Sequence, residues 1–222
     1  PAAGVVIVDP FCEYLGKRAT RMLEEAGYAV MQVLSPHLVQ HIDDPEVSIY
    51  RAPSPGREVQ WIAKLPFPPV AVLCESDAGL ATAERLQSAL LGRRYGGVNE
   101  ARRDKFLMNE ASRAAGLETV QQIKTGHWHE VVEFATALTR GKEGFADDTE
   151  AVRLVVKPLR GCASGDVYLC QGLQEAETAF HTILGTPKYG TPGVVNDEVL
   201  VQGYLQGTEY VVDTVSRDGE HK

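Results

Sequence analysis

The sequence predicts an α/β unit followed by an α+β unit, and two observations support this prediction. Predicted strands and helices alternate through residues 1–98, which is typical of a parallel sheet covered by helices. Beyond residue 98, pairs of predicted strands are joined as hairpins and alternate with helices, which indicates antiparallel pairing with the helices on one face. A chain of 222 residues is long enough for two small domains.

The unit of residues 1–98 starts with a strand. Residues 5–8 form a continuous apolar run of the kind found in strands that are buried on both faces. A helix is predicted over residues 14–26 and ends at Gly27, because glycine commonly terminates helices. The other predicted elements are strands over residues 29–34 and 70–74 and helices over residues 59–65 and 81–91.

The boundary between the units is predicted at residues 92–97, where glycines and charged side chains do not contribute to a core. The unit of residues 99–222 begins with a helix predicted over residues 99–115. Its later elements are strands over residues 120–123, 154–157, 167–170, 199–205 and 209–215 and helices over residues 128–138 and 173–184. Residues 217–222 resemble a hairpin turn without its second strand, so we expect an excerpt of a longer chain or a sheet completed by a partner.

Composition and charge disfavour several classes of protein. A net charge of −8 and a pI near 5.3 do not favour binding to nucleic acid. The apolar runs of the sequence are shorter than the ~18 residues that a membrane span needs. Cys12, Cys74, Cys162 and Cys170 form no C-x-x-C pair. We therefore expect buried free thiols in a reducing compartment and a cytoplasmic location.

Three further motifs have simpler explanations than a functional site. The first unit contains no G-x-G-x-x-G, and Pro10 and Phe11 follow its first strand, which disfavours dinucleotide binding there. The turn over residues 75–79 follows a predicted parallel strand, where α/β folds bind ligands, but it also suits a helix cap. His127 and His129 are two residues apart on a predicted helix, so they cannot bind one metal from the same face.

The strand predicted over residues 154–157 ends in a lysine and leads into a glycine-containing loop. Pro158 ends the strand after Lys157, and Gly161 and Ser164 lie in the loop that returns to the next strand. Backbone amides and a hydroxyl beside a fixed ammonium suit the phosphates of a nucleoside triphosphate. An ordinary glycine hairpin with a surface lysine is the alternative explanation.

Three features elsewhere favour the phosphate interpretation over that alternative. Lys105 lies on the helix that begins this unit and supplies a second cation. The strand over residues 199–205 loosens at Gly203 into a connector, whose backbone groups can bond to the edge of an adenine. Glu209 lies four residues beyond Leu205 and can accept hydrogen bonds from both ribose hydroxyls. Two lysines, a glycine-containing loop, a connector and a glutamate in this order form a specific combination.

With these motifs, residues 99–222 resemble the first half of an ATP-grasp domain, and residues 1–98 resemble the Rossmann-like domain that precedes it. The resemblance is closest to ATP-grasp carboxylate–amine ligases of the L-amino-acid ligase kind. It implies an α/β Rossmann-like domain followed by an incomplete α+β ATP-grasp domain. The segments that carry the resemblance are residues 5–10, 80–86, 101–116, 155–158 and 199–210.

The resemblance also implies roles for individual residues. Lys105 and Lys157 correspond to the two phosphate-binding lysines of the family, and residues 161–166 correspond to the mobile flap over the β- and γ-phosphates. Residues 202–205 correspond to the adenine-binding connector and Glu209 to the ribose acceptor. The nucleotide-binding residues implied in this way are Lys105, Lys157, Gly161, Ser164, Gln202, Gly203, Tyr204, Leu205 and Glu209.

The sequence departs from the family pattern at three positions. Ala163 and Asp166 stand where the family commonly has glycines, and Gln202 stands where glutamate is common. A carboxylate at Asp166 would repel a γ-phosphate unless the side chain points outward or meets a metal. The direction of the Asp166 side chain is therefore decided by the tertiary structure.

The resemblance implies a ligase that uses ATP and Mg²⁺. In such an enzyme ATP phosphorylates a substrate carboxylate, and an amine attacks the acyl phosphate to form an amide or peptide bond with release of ADP. The Mg-binding and catalytic residues of the family are expected beyond residue 222, so this chain alone is expected to be inactive. Amino acids are the expected substrates, without nucleic acid or membrane partners, and a homodimer is one expected assembly.

Two other functions stay open at this point. One is a non-catalytic nucleotide-binding or assembly module that keeps the ATP-grasp shape. The other is a different ATP-grasp chemistry, such as carboxylation, which would depend on bicarbonate rather than on amino acids. ADP release that depends on amino acids indicates the ligase, release that depends on bicarbonate indicates carboxylation, and no release indicates the non-catalytic module.

Overall fold

A computed structural model of the chain describes residues 2–10, 13–39, 51–74, 76–92, 97–140, 152–217 and 220–221. The elements of its first part are β1 (Gly4–Val8), a π-helix (Glu13–Ala19), α1 (Thr20–Glu25), β2 (Ala29–Val33), α2 (Pro36–Val39), α3 (Glu58–Ile62), β3 (Pro69–Cys74) and α4 (Leu80–Leu91). Strands β2, β1 and β3 form a parallel sheet in that order. The parallel sheet predicted for this part is confirmed.

Strand β1 is the centre of the parallel sheet, and all of its residues are buried. Val6 lies opposite Met31 of β2 and Val72 of β3. Leu86 of α4 is fully buried and packs against the same core as Val6 and Val33. The apolar run at residues 5–8 thus reflects burial of both faces of a central strand.

The second part contains a four-stranded antiparallel sheet in the order β4-β7-β5-β6. Its elements are a 3₁₀ turn (Glu100–Arg102), α5 (Lys105–Ala114), β4 (Gln122–Thr125), α6 (Trp128–Thr139), β5 (Arg153–Pro158), β6 (Tyr168–Gln171), α7 (Gly172–Ile183), β7 (Val199–Gly203), β8 (Ser216–Arg217) and β9 (Glu220–His221). Strands β8 and β9 form a separate two-stranded hairpin. The strands predicted over residues 154–157 and 167–170 pair as expected.

Helices α6 and α7 supply the core of the second sheet. Leu154 and Val156 of β5 are fully buried in one cluster with Val131 of α6 and Phe180 of α7. Because side chains alternate between the two faces of a strand, Lys157 lies on the face of β5 opposite this cluster. The period of two along β5 therefore directs the lysine away from the helical layer.

The helix predicted over residues 99–115 is wrong in one respect, because it is interrupted. Asp104 has an extended backbone, and its Oδ1 accepts hydrogen bonds from the amides of Phe106 and Leu107, each at 3.0 Å. Aspartate is a preferred residue at a helix N-terminus, where it satisfies free amides. Helix α5 therefore starts at Lys105, and a separate 3₁₀ turn precedes it.

The strand predicted over residues 209–215 is absent, and this prediction is wrong. Strand β7 lies between β4 and β5, so both of its edges are already paired and cannot accept another strand. The side chains of the following segment are exposed, including Tyr210 at 81% and Val211 at 85%. Alternating apolar residues form a strand only where an edge is available to pair with them.

Loops and short helices next to the two sheets contact each other. Asp77 forms an ion pair with Arg103, and the ring of His37 lies 5.2 Å from that of Tyr189. A Cβ built at Gly190 would lie 3.3 Å from the Cα atom of Ala78. Residues 185–196, which were predicted as a loop, therefore contact helix α2 and the loop that follows β3. Most of the predicted boundary at residues 92–97 lies outside the described residues.

The described cysteines are free, but they are not uniformly buried. Cys170 is buried, Cys74 is partly buried and Cys162 is exposed, so the expectation of burial is wrong for Cys162. Cys12 lies outside the described residues. None of the helices within the described ranges is long and apolar enough to cross a membrane.

Candidate functional site

Lys157 lies near the end of β5, on the face opposite the core that α6 and α7 form with the sheet. It is paired in the sheet with Leu200 of β7. Burial lowers the pKa of Lys157, and the nearby positive charge of Lys105 lowers it further. A half-buried ammonium beside a second ammonium is destabilised by burial and by repulsion. A negatively charged group bound next to both would stabilise them.

Lys105 reaches the same place from the start of α5. Its backbone amide donates to the carbonyl oxygen of Leu159 at 3.0 Å, which ties the helix to the end of β5. Its Nζ donates to the carbonyl oxygen of Gly161 at 2.9 Å. Burial is the main cause that lowers the pKa of Lys105, and Arg103 contributes in the same direction. Because the cap at Asp104 fixes the start of α5, Lys105 contacts the loop of residues 161–166.

Both lysines line one cavity of about 200 Å³, here called the lysine cavity. Its other walls come from residues 158–167, including Gly161 and Ser164. Within the described part of the chain, no carboxylate forms a salt bridge with either ammonium. Two unneutralised ammonium groups, backbone amides and a hydroxyl in one cavity are suited to a phosphate group.

The loop over residues 161–166 has an unusual backbone. Ala163, Ser164 and Asp166 have φ angles of 49°, 58° and 54°, in the left-handed region that glycine adopts most easily. The amide of Gly165 donates to the carbonyl oxygen of Cys162 at 2.9 Å and closes a tight turn. Two of the three left-handed residues are the positions where the sequence departs from the glycines of the family.

Asp166 lines a different cavity from the two lysines. The lysine cavity contains residues 161–165 of the loop but not Asp166, which lines a larger cavity of about 830 Å³, here called the loop cavity. The hydroxyl of Tyr168 donates to its Oδ1 at 3.5 Å. The carboxylate is therefore directed away from the place where two ammonium groups would attract a phosphate.

The predicted connector residues lie in a third place. Gly203, Tyr204 and Leu205 line a cavity of about 540 Å³ at the end of β7. The guanidinium of Arg153 lies 3.7 Å from the centre of the Tyr204 ring, and the Tyr204 amide donates to the Arg153 carbonyl oxygen at 3.1 Å. The connector and the two lysines thus line separate cavities on the same sheet.

Gln202 and Glu209 line none of the three cavities described above. Gln202 is buried, and its Nε2 donates to Oε1 of Gln122 at 2.9 Å. Gln122 in turn donates to Glu110 at 2.9 Å, so the carboxamide belongs to a polar network under α5. Glu209 lies in the exposed segment after β7. The roles implied for these two residues stay predictions.

The loop cavity was not found from the sequence. Residues 185–196 were recognised only as a Gly- and Pro-rich connection, yet they supply much of its wall, together with His37 and Arg160. The sequence contains no local signal for this cavity, because its walls come from segments far apart in the chain. Only the packing of the three segments creates it.

Two of the other motifs lie near the starts of helices: Gly79 is at the N-cap of α4 without a side-chain cap, and His127 is at the N-cap of α6 rather than on the helix. The hydroxyl of Ser76 accepts from the amide of Gly79 at 2.8 Å, just before α4. His127 and His129 are both exposed, with ring centres 5.7 Å apart. The described residues contain no group of three or more His, Cys, Asp or Glu side chains placed to hold a metal ion.

Dapdiamide A synthase is a related protein identified by comparison with curated sequences. No family model matches the chain. Dapdiamide A synthase from Enterobacter agglomerans is 27% identical over 227 aligned residues, which cover 98% of this chain and 50% of that protein. The chain thus spans about half the length of the curated relative that it matches.

Solved structures share the fold at low sequence identity. The ADP complex of N5-carboxyaminoimidazole ribonucleotide synthetase has a TM-score of 0.53 and 12% identity, over 92% of this chain and 47% of the other. The biotin carboxylase domain of Hydrogenobacter thermophilus 2-oxoglutarate carboxylase, with MgADP and bicarbonate, has a TM-score of 0.51 and 16% identity, over 91% and 44%. D-alanyl-alanine synthetase A from Vibrio cholerae has a TM-score of 0.50 and 9% identity, over 100% and 65%.

These proteins are ATP-grasp enzymes, and the chain matches only part of each. The fold that they share with it is the fold expected from two lysines, a glycine-containing loop and a connector in that order. The resemblance to the ATP-grasp ligases predicted from the sequence is thereby confirmed, and the chain has part of the ATP-grasp fold.

Proposed function

We propose that this chain is the nucleotide-binding part of an ATP-dependent carboxylate–amine ligase, which forms an amide or peptide bond through an acyl phosphate and releases ADP. The observation that carries the proposal is the lysine cavity, where Lys105 and Lys157 meet beneath the loop of residues 161–166. The related dapdiamide A synthase is the comparison that favours amide formation.

In this proposal the nucleotide extends from the lysine cavity toward the end of β7. Leu200 is opposite Lys157, and Gly203 lies three residues further along β7, about 10 Å at roughly 3.3 Å per residue. The adenosine would therefore reach residues 203–205 while the phosphates occupy the lysine cavity. Positive charge from the two lysines stabilises the charge that develops on the transferred phosphoryl group. A loop closed over that group excludes water, which protects an acyl phosphate from hydrolysis.

The residues described do not fit a complete Mg²⁺ site. They contain no cluster of three or more carboxylate, histidine or cysteine side chains, so no step is assigned to a metal ion on this chain. The lysines and the loop are the groups to which this chain's part of the chemistry is assigned.

We also propose the division into a Rossmann-like domain of residues 1–98 and the amino-terminal half of an ATP-grasp domain in residues 99–222. Separate parallel and antiparallel sheets on the two sides of this boundary support the division. The parallel sheet with helix α4 packed against it is the feature that supports the Rossmann-like assignment.

The proposal is tested by ADP release from the full-length protein in the presence of each of the common L-amino acids. We expect release that depends on an amino acid. Lys157→Ala should lower turnover by more than about tenfold, or about 1.4 kcal/mol. Lys124→Ala is the matched control, because Lys124 donates to Glu198 at 2.9 Å and lies outside the lysine cavity. Near-normal turnover of Lys157→Ala contradicts the assignment.

Carboxylation is the second candidate, because two of the structures described above are a carboxyaminoimidazole ribonucleotide synthetase and a biotin carboxylase domain. At 12% and 16% identity these structures show the fold alone. ADP release that depends on bicarbonate and not on amino acids identifies this chemistry. A protein that binds ATP but releases no ADP under either condition is a non-catalytic module.

A further inference from the structure

Cys162 is the accessible thiol in the described part of the chain. It is exposed, whereas Cys74 is partly buried and Cys170 is buried. Burial raises the pKa of the Cys74 thiol to about 12 and also raises the pKa of Cys170. The thiolate is the form of cysteine that attacks disulfides, so these two residues are not suited to that reaction at neutral pH. Among the described cysteines, Cys162 is the one that a disulfide can reach.

Cys162 lies at the boundary between two cavities. It lines the lysine cavity together with Lys105 and Lys157, and it also lines the loop cavity. The carbonyl oxygen of Gly161, the preceding residue, accepts a hydrogen bond from Nζ of Lys105 at 2.9 Å. Burial raises the pKa of Tyr189 to about 12, and a hydrogen bond with the Cys162 side chain contributes. A group attached to this sulfur would therefore lie next to the two ammonium groups.

Positive charges predominate around Cys162. Within the described ranges, Lys105 and Lys157 form no salt bridge with a carboxylate. Arg160 and Lys188 add two cations to the lining of the loop cavity, and each also has a carboxylate partner outside it. Asp166 is the carboxylate in that lining. An excess of positive charge attracts anionic reagents and speeds their reaction, so a disulfide that carries carboxylates is favoured over a cationic one.

Asn196 gives independent evidence for a ligand beside Cys162. It lines the loop cavity and is 4% exposed. Its Nδ2 donates to Oγ1 of Thr186 at 3.1 Å and to the carbonyl oxygen of Pro187 at 3.5 Å. Its Oδ1 has no partner among the described residues. A buried acceptor without a partner is costly and is satisfied by an N–H donor, which the amide groups of a peptide supply.

We propose that Cys162 undergoes reversible thiol–disulfide exchange with small peptide disulfides that carry carboxylates. The thiol releases its proton to solvent, and the thiolate sulfur attacks one sulfur of the disulfide. The S–S bond of the reagent breaks, and its other half leaves as a thiolate that takes up a proton. A new S–S bond then joins Cys162 to the peptide. One disulfide is consumed and one is formed, so no separate oxidant is required.

The mixed disulfide would compete with a nucleotide for the lysine cavity. The carboxylates of the attached peptide are attracted by the ammonium groups of Lys105 and Lys157. The lysine cavity has a volume of only about 200 Å³, so these carboxylates and the phosphates of a nucleotide compete for the same space. Reduction by a free thiol removes the peptide again. This consequence rests on the proposed function, whereas the exchange itself does not.

The first test compares the rates at which three disulfides modify Cys162 in the full-length protein, followed by mass spectrometry of its peptides. Glutathione disulfide is anionic and has amide N–H groups, dithiodipropionate has the same net charge without them, and cystamine is cationic. Each rate is divided by the rate of the same disulfide with N-acetylcysteine amide, a neutral thiol. We expect glutathione disulfide to exceed cystamine by about tenfold or more, and dithiodipropionate by about tenfold.

Two results overturn the proposal. One is the absence of an adduct at Cys162, and the other is an equal normalised rate for glutathione disulfide and cystamine. Equal rates for glutathione disulfide and dithiodipropionate overturn the assignment to a peptide, because the Asn196 acceptor would then contribute nothing.

A double variant, Lys105→Met with Lys157→Met, tests the part played by charge. It should slow the reaction of glutathione disulfide and should not slow that of cystamine, because the cations near the sulfur are removed. Lys124→Met is the control, since Lys124 lies outside both cavities and pairs with Glu198. An unchanged ratio of the two rates in the double variant overturns the electrostatic basis of the proposal.

Calorimetric titration with ATP tests the consequence. We expect the adduct to bind ATP about tenfold more weakly or worse than the unmodified protein, and dithiothreitol to restore binding. In Cys162→Ser, treatment with glutathione disulfide should leave ATP binding unchanged. Equal affinities of the adduct and the unmodified protein overturn the competition. Absence of ATP binding by the unmodified protein contradicts the proposed nucleotide site instead, and the exchange rates then decide the exchange by themselves.

Discussion

Two like charges are held close together at Lys105 and Lys157. Burial lowers the pKa of both lysines below the ordinary value of 10.5, and Lys105 lowers the pKa of Lys157 further. Just below pH 10.5 the folded chain therefore binds fewer protons than the unfolded chain. By linkage, the free energy of unfolding rises with pH in this alkaline window, because the cost of the buried charges is relieved.

The first prediction concerns this repulsion between the two lysines. Lys105→Met should raise the pKa of Lys157 toward its ordinary value, because a neighbouring positive charge is removed. The side-chain resonances of Lys157, followed by NMR as a function of pH, measure the shift. Lys124→Met is the control, since Lys124 is paired with Glu198. An identical pKa of Lys157 in both variants would contradict the arrangement.

The loop of residues 161–166 is an element whose conformation conflicts with its sequence. Ala163 is exposed and has a φ of 49°, a conformation that costs a residue with a Cβ about 1–2 kcal/mol. Packing does not explain why the loop retains this conformation, because the side chain faces solvent. The cost is small enough for the bonds at both ends of the loop to offset it.

The second prediction tests the backbone of this loop. Ala163→Val should lower the free energy of unfolding by about 1 kcal/mol or more, because a β-branched residue is least compatible with a positive φ. Ala163→Gly should not destabilise the protein, because glycine adopts this conformation without strain. Urea denaturation measures both variants. Equal stability of the valine and alanine proteins would show that the loop leaves the left-handed conformation easily.

Segments that flank the two sheets contact each other. The loop of residues 185–196 contacts the region after β3 through Gly190 and Ala78, and Arg103 pairs with Asp77. The loop cavity lies at the same junction, because His37 and Tyr189 both line it. Any change that separates the sheets should therefore also change the cavity.

The third prediction measures this contact with two glycines of one loop. Gly190 and Gly193 have φ angles of 71° and 76°, so alanine is strained equally at both. A Cβ at Gly190 would lie 3.3 Å from Ala78, whereas nothing lies within 4 Å of one at Gly193. Gly193→Ala should cost about 1 kcal/mol from the backbone alone, and Gly190→Ala should cost measurably more.

Urea denaturation of both glycine variants gives the comparison. Equal free energies of unfolding would mean that the contact with Ala78 contributes nothing to stability. A larger cost at Gly190 would show that the close approach to Ala78 is part of the folded structure in solution.

Most strands were predictable because they reflect local patterns. The apolar run of β1 and the alternation along β5 both depend only on the period of a strand and on burial. The interruption before Lys105 follows from a cap at Asp104, which competes with the continuous helix suggested by the neighbouring residues. The prediction of a strand over residues 209–215 was wrong, because the sequence alone does not show which sheet edges are already paired.

The sequence by itself determined most of the strands and helices, the position of Lys157 near the end of a strand and the resemblance to the ATP-grasp ligases. The tertiary structure alone decided that Lys105 reaches Gly161 across 56 residues, that Asp166 lines the loop cavity rather than the lysine cavity, and that the loop cavity exists. Periodicity and capping act between neighbouring residues and are therefore visible in a sequence. Cavities and unfilled hydrogen bonds arise between distant segments, so they appear only when the chain is packed.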